Sequence, residues 1–199
     1  MLNEELKADE VPMSLKEKIS LGNQEAFKVL YQQFSKKLIN FACSIVKQED
    51  AAFEIVDDVF IQIWKRRENI CSINYLKVYL YKSVKNTSLN YLSKKAKENI
   101  LEPFDFIDIQ LHDDISPAQK LITSEIYEKI EDAINALPPR CKIIFKLIRE
   151  DGLKYKEVAE ILNIKENTVD AQMVIAVRKI SEAVRSQFTF FPTKAPKKV

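Results

Sequence analysis

Apolar residues recur at helical spacing along most of this chain. The pattern predicts a first short helix over Ser14 to Ser20, closed by Gly22, with Asn23 capping the next. That second helix, Gln24 to about Val46, carries Phe27, Leu30, Tyr31, Phe34, Leu38, Phe41 and Ile45 at helical intervals. Lys47 to Asp50 read as a turn. From Ala51 runs an acidic-aromatic helix in which Phe53, Ile55, Val56, Val59, Phe60 and Ile63 share one broad arc, expected to be core. Ile61 falls outside that arc, between Asp57 and Glu54 with Trp64 nearby. A basic helix from about Ile73 to Lys95 follows, with two faces. Ile73, Leu76, Leu80, Val84 and Tyr91 form its inner stripe. Tyr75, Tyr79, Lys82 and Asn86 make a second line at i, i+4, i+7 and i+11, expected to be exposed.

The second half repeats helical spacing in shorter pieces. A helix is expected over residues 118–136, then a break at Leu137-Pro138-Pro139 and a helix from Arg140 to Arg149. Glu150-Asp151-Gly152 form a stop. A short helix, Tyr155 to Leu162, a turn at Asn163-Ile164, and a helix from Glu166 to about Phe188 then have helix-turn-helix spacing. Val158, Ala159 and Leu162 pack the first of these, Ile164 plugs the turn, and Val169, Met173, Ala176, Val177 and Ile180 pack the second. The outer positions Asn167, Thr168, Asp170 and Ala171 would then face a major groove. An αα-hairpin with no DNA role has the same spacing.

Composition settles the class. Two glycines, Gly22 and Gly152, in 199 residues are too few for a sheet with tight hairpins. The expected fold is all-α, with two small helical domains at 23–97 and 118–188. A leader with the first short helix occupies 1–22, a connector 98–117 and a tail 189–199. Net charge is only +2, so its distribution matters more. Asn69 to Lys97 holds six lysines and no acid; Glu98 to Gln119 holds six acids and no Lys or Arg. A basic helix before an acidic connector separates a region suited to nucleic acid from one that avoids it. Three scattered cysteines, Cys43, Cys71 and Cys141, fit reduced thiols rather than a disulfide framework. MLNEELKADE has no apolar run, so no signal peptide is expected, and a cytoplasmic protein is.

The residues favour binding over chemistry. Tyrosines, a cation and an amide along one line suit unpaired bases, which stack on rings and hydrogen-bond through their edges. A solvated or domain-packing face is the plain alternative. Adjacent Asp57 and Asp58 diverge by about 100° on a helix and cannot act on one substrate atom. His112 stands alone in the connector. No phosphate loop, nucleophile elbow or zinc spacing occurs. No catalytic residue, metal or cofactor is expected.

Taken in order, AFKVLYQQF…LINFA, EIVDDVFIQIW and YLYKSVKNTSLNYL resemble region two of the extracytoplasmic-function sigma factors, short members of the sigma-70 family. LPPRCKIIFKLIREDGLKYKEVAEILNIKENTV resembles their region four. The likeness runs from about Glu25 to Phe188. It implies a non-enzymatic subunit that binds core RNA polymerase, recognises promoter DNA and supports its melting. By the same resemblance Asp57, Asp58, Phe60, Ile61 and Trp64 dock on the polymerase. Tyr75, Tyr79, Lys82, Lys85 and Asn86 open the minus-ten element, with Tyr79 where the family usually has tryptophan. Lys165, Asn167, Thr168, Asp170, Ala171, Val174, Ile175 and Arg178 read the minus-thirty-five element. Lys154 and Lys165 stand where relatives often have a capping Ser, so weakly capped helix starts are expected. An anti-sigma factor, membrane-linked and clasping both domains, is also implied. Without the resemblance, the residues leave open a helix-turn-helix regulator acting without polymerase, or a helical adaptor with no DNA.

Overall fold

A computed structural model describes residues 11–98 and 124–188 of the protein. Among these residues the chain forms eight α-helices and one 3₁₀ turn. Residues 1–10, 99–123 and 189–199, which include His112, nearly all of the expected connector and the tail, lie outside the described residues.

Helix α1 (Met13–Ser20) ends where Gly22 takes φ 83°, a left-handed turn that suits a residue without a Cβ. Asn23 then caps α2 (Gln24–Val46), its Oδ1 accepting from the Ala26 N–H at 2.9 Å. Lys47, at φ 59°, closes α2. Helix α3 (Glu49–Lys65) starts almost at once, so the four-residue turn expected at Lys47–Asp50 is shorter. Glu49 and Asp50 in its first turn complement the positive end of the helix dipole.

A 3₁₀ turn (Arg67–Ser72) separates α3 from α4 (Leu76–Glu98). Ile73 is extended, which moves the start of the basic helix three residues past the expected position. Tyr75 therefore precedes α4 rather than lying within it; its carbonyl accepts from the Tyr79 N–H at 3.0 Å. Lys16 of α1 is buried and donates through Nζ to the Ile73 carbonyl at 2.8 Å, tying α1 to the approach to α4. Leu30, Leu38, Ala42, Val56, Leu76, Leu80 and Val84 are sealed in the core between α2, α3 and α4.

The second unit is α5 (Ser124–Asn135), α6 (Pro139–Arg149), α7 (Tyr155–Leu162) and α8 (Glu166–Phe188). Pro139 opens α6, where a missing N–H costs no helical bond. Gly152 turns the chain at φ 69° before α7. Lys154 supplies no side-chain oxygen to cap α7, but Glu157 reaches back, accepting from the Lys154 N–H at 2.7 Å. Asn163 ends α7 at φ 56°, a conformation asparagine tolerates better than most side chains. Val158, Val169, Met173 and Ala176 pack as expected, with Ile164 against the same core. Val177 does not: it is 45% exposed on the outer side of α8. Ile161, fully buried, carries part of the packing instead.

The two units share a boundary. Ile144, Leu147, Val158 and Ile161 join the same apolar cluster as α2 and α4, and α7 lies against α4. Among the described residues no helix is long and apolar enough to cross a membrane.

Candidate functional site

On α3 the outward stripe is apolar and acidic at once. Ile61 is 48% exposed, as its place off the core arc required. Phe53, expected in the core, is 44% exposed and lies two turns earlier along the same side. Asp57 falls between them, and the Tyr31 hydroxyl of α2 donates to its Oδ1 at 2.9 Å. Burial and the Asp57 carboxylate together push the Tyr31 phenol above its ordinary pKa, so it stays a donor. Asp58 is exposed beside it.

Two of the expected docking residues stand differently. Phe60 is buried, with its ring 4.9 Å from Tyr31 and 6.0 Å from Phe27. It supports the stripe from beneath and cannot touch a partner. Trp64 is half-buried, 4.8 Å from the Phe27 ring, with the Arg67 guanidinium 5.0 Å over its face.

The line on α4 divides by chemistry. Tyr75 is 62% exposed, and Tyr79 and Asn86 also face outward. The cations among them are engaged. Lys82 pairs with Glu160 of α7 at 2.8 Å. Lys85 donates to the Ile161 carbonyl at 2.7 Å, and burial, with Lys82 nearby, lowers its pKa. Lys77 is buried and donates to the Asp151 carbonyl at 3.0 Å. Tyr81 is sealed against Phe41, with the Asp151 carboxyl close enough to feel its hydroxyl. Burial pushes that carboxyl up to about 6, against the pull of Tyr81, Lys37 and Lys77.

Sequence reasoning missed Lys77, Tyr81, Asp151 and Glu160. The one available signal was that Lys77 and Tyr81 fall one turn apart, off the exposed tyrosine line.

Lys165, just before α8, and Asn167, Asp170 and Ala171 on it are exposed, and Val174 is 61% so. Thr168 is half-buried at the helix start. Arg178 is exposed, 3.9 Å from Glu182. Ile175 turns partly inward, against the small cluster of Leu137, Cys141 and Ala176. The structure thus gathers Asn167, Asp170, Ala171 and Val174 on one open surface and withdraws Ile175 from it. Among the described residues no three His, Cys, Asp or Glu side chains gather as a metal site.

Comparison with known proteins places these units. A profile of Sigma-70 region 2 matches residues 30–98, covering most of α2 and all of α3 and α4. A profile of Sigma-70 region 4 matches residues 127–180, covering most of α5, all of α6 and α7, and much of α8. The ECF RNA polymerase sigma-E factor of Haemophilus influenzae is 26% identical over 180 residues, 86% of this chain and 94% of that one. Its counterpart in Escherichia coli K12 is 23% identical over 178 residues, covering 86% and 93%. Two solved structures share the fold. The sigma factor RpoE, in complex with the anti-sigma factor NepR from Bartonella quintana, aligns with TM-score 0.57 and 21% identity over 80% of this chain and 96% of that one. CnrH in complex with the cytosolic domain of CnrY aligns with TM-score 0.53 and 16% identity, covering 87% and 97%. With region 2 and region 4 in this order, on these helices, the chain belongs to the sigma-70 family, among its extracytoplasmic-function sigma factors.

Proposed function

We propose that this chain is a non-enzymatic specificity subunit that binds core RNA polymerase and directs it to promoter DNA. The observation that carries the reading is the juxtaposition of two outward faces in one bundle. Phe53, Asp57, Asp58 and Ile61 offer an apolar patch edged by carboxylates on α3. Tyr75, Tyr79 and Asn86 offer rings and an amide on the approach to α4 and along it. Exposed apolar side chains among charges mark a protein contact. Exposed tyrosines in a row suit separated bases.

The polymerase meets α3, with Ile61 and Phe53 as anchors and Phe60 as their support. Promoter melting follows at α4: an unstacked base is held against Tyr79 and Asn86, which shifts the duplex equilibrium without chemistry at a cost of a few kcal/mol. The outer side of α8, from Lys165 to Arg178, meets the upstream promoter element. Asp170, Ala171 and Val174 give it little positive charge, so contacts with thymine methyls suit it better than phosphate attraction. With a net charge of +2, affinity for DNA without polymerase is weak and falls steeply with salt. An anti-sigma factor is a further partner, in keeping with the CnrY and NepR complexes of the structural relatives.

Run-off transcription with purified core polymerase tests the reading. Promoter-dependent transcripts that need this chain support it; retention of DNA binding with no association with core would establish a regulator that works without polymerase.

A further inference from the structure

We propose that Arg67 is a positioning residue for polymerase docking: its guanidinium holds Trp64, at the end of the α3 stripe, in one orientation for the partner to meet. The inference rests on α3 being the polymerase face.

Trp64 follows Phe53, Asp57 and Ile61 at helical steps of four, four and three residues, so it ends their side of α3. It is half-buried on the last turn of that helix. A large ring with one edge in solvent keeps rotamer freedom that docking must remove, and removing it weakens binding.

Three contacts restrict that freedom beforehand. The Phe27 ring of α2 lies 4.8 Å away, tilted by 49°. The Arg67 guanidinium lies 5.0 Å from the indole centroid, within the range of a cation–π contact. The same guanidinium donates through Nη1 to the Trp64 carbonyl at 3.2 Å. Arg67 therefore grips one residue by its ring and by its backbone at once.

The arrangement has a cost that packing alone would avoid. Among the described residues nothing accepts from Arg67 Nε, although that atom is sealed from solvent. The turn at Gly22 closes over it: a Cβ there would stand 3.6 Å from that nitrogen. An unpaired buried N–H is destabilising. An apolar side chain of similar length would fill the space without that penalty, but would lack a flat cation to lay on the indole.

Trp64 is the sole tryptophan of the chain, so tryptophan fluorescence reports this ring and nothing else. In the free protein, Arg67→Met should move the emission to longer wavelength and make it more readily quenched by acrylamide, while far-UV circular dichroism keeps its helical signal. In a native-gel titration with core polymerase the same variant should bind about fivefold more weakly, the cost of ordering one large side chain on docking. Arg67→Lys keeps the charge but not the flat stack, and should bind as weakly as Arg67→Met. In a chain that already carries Trp64→Leu, Arg67→Met should weaken binding no further. Unaltered quenching in Arg67→Met, full core binding by Arg67→Lys, or the same loss with and without Trp64 overturns the proposal. Should Arg67→Met fail to fold, Arg67→Lys decides through the same two readings. If the unaltered chain does not bind core at all, the sigma reading fails instead, and quenching still decides whether Arg67 fixes the ring.

Discussion

The outward faces of α3 and α4 belong to one bundle, yet the fold leaves them in opposite states. On α3, Phe53 and Ile61 stand open, with Asp57 fixed by Tyr31. On α4, Lys77, Lys82 and Lys85 are occupied by oxygens of the second unit. The difference lies in what each side chain lacks. Among the described residues the isoleucine edged by carboxylates is left about half exposed. A lysine finds an acceptor wherever a carbonyl is unpaired, and the end of α7 and the turn at Asp151–Gly152 supply several. The fold thus leaves the α3 face open and engages the α4 lysines within the chain.

The largest expected effect separates support from contact on α3. Phe60→Ala should cost about 3–5 kcal/mol of stability in thermal or urea unfolding, as truncation of a sealed ring does. Ile61→Glu should leave unfolding nearly unchanged but weaken core binding by at least ~30-fold, a loss of about 2 kcal/mol or more typical of an interface anchor. A native-gel titration reads it, and intact binding would sink the assignment of α3.

Asp151 sharpens the other side of the comparison. Its carboxyl, raised to about 6, faces Tyr81 and Lys77 of α4, Lys37 of α2 and its own neighbour Glu150. Burial between the units favours the neutral acid, so its contribution to the joint is strongest below pH ~4, weakens as pH rises toward 6, and is flat above that. At neutral pH the ionised group opposes the joint by at most about 3 kcal/mol. Asp151→Asn should therefore raise stability in urea unfolding at pH 7 and flatten its dependence on pH. An unchanged profile would show that Asp151 does not sense the joint.

Asn86→Ala should spare core binding and lower open-complex formation on duplex about tenfold, with much less loss on a pre-melted template. Equal loss of core binding in Asn86→Ala and Ile61→Glu would reject the division between α3 and α4. The smallest change is expected from Tyr79→Trp, a larger stacking ring at an exposed position, with a gain of under about 1 kcal/mol in binding a single strand. Tyr79→Ala should lose about 1–3 kcal/mol in the same titration.

Local rules written in short segments decided much of this molecule. Asn23, Gly22 and Pro139 mark helix ends by their own chemistry, and α2, α7 and α8 fall where the apolar period puts them. Ile61 could be singled out because a helix of known period has only one side for each residue, and its side was acidic. Phe53 and Val177 misled the same reasoning: periodicity tells which residues share a face, but not how far a neighbouring helix reaches over it. The 3₁₀ turn that displaces Tyr75 from α4 ends at Ile73, whose carbonyl is held by Lys16, more than fifty residues earlier.

The lysines show the boundary best. Six cations without an acid in that segment were legible as a surface suited to phosphate. That three of them are held by Asp151, Glu160 and Ile161 was decided only when the chain brought α7 against α4. A sequence fixes charge and period residue by residue, whereas the partner of a charge is chosen by distance in space, and only the folded chain sets that distance.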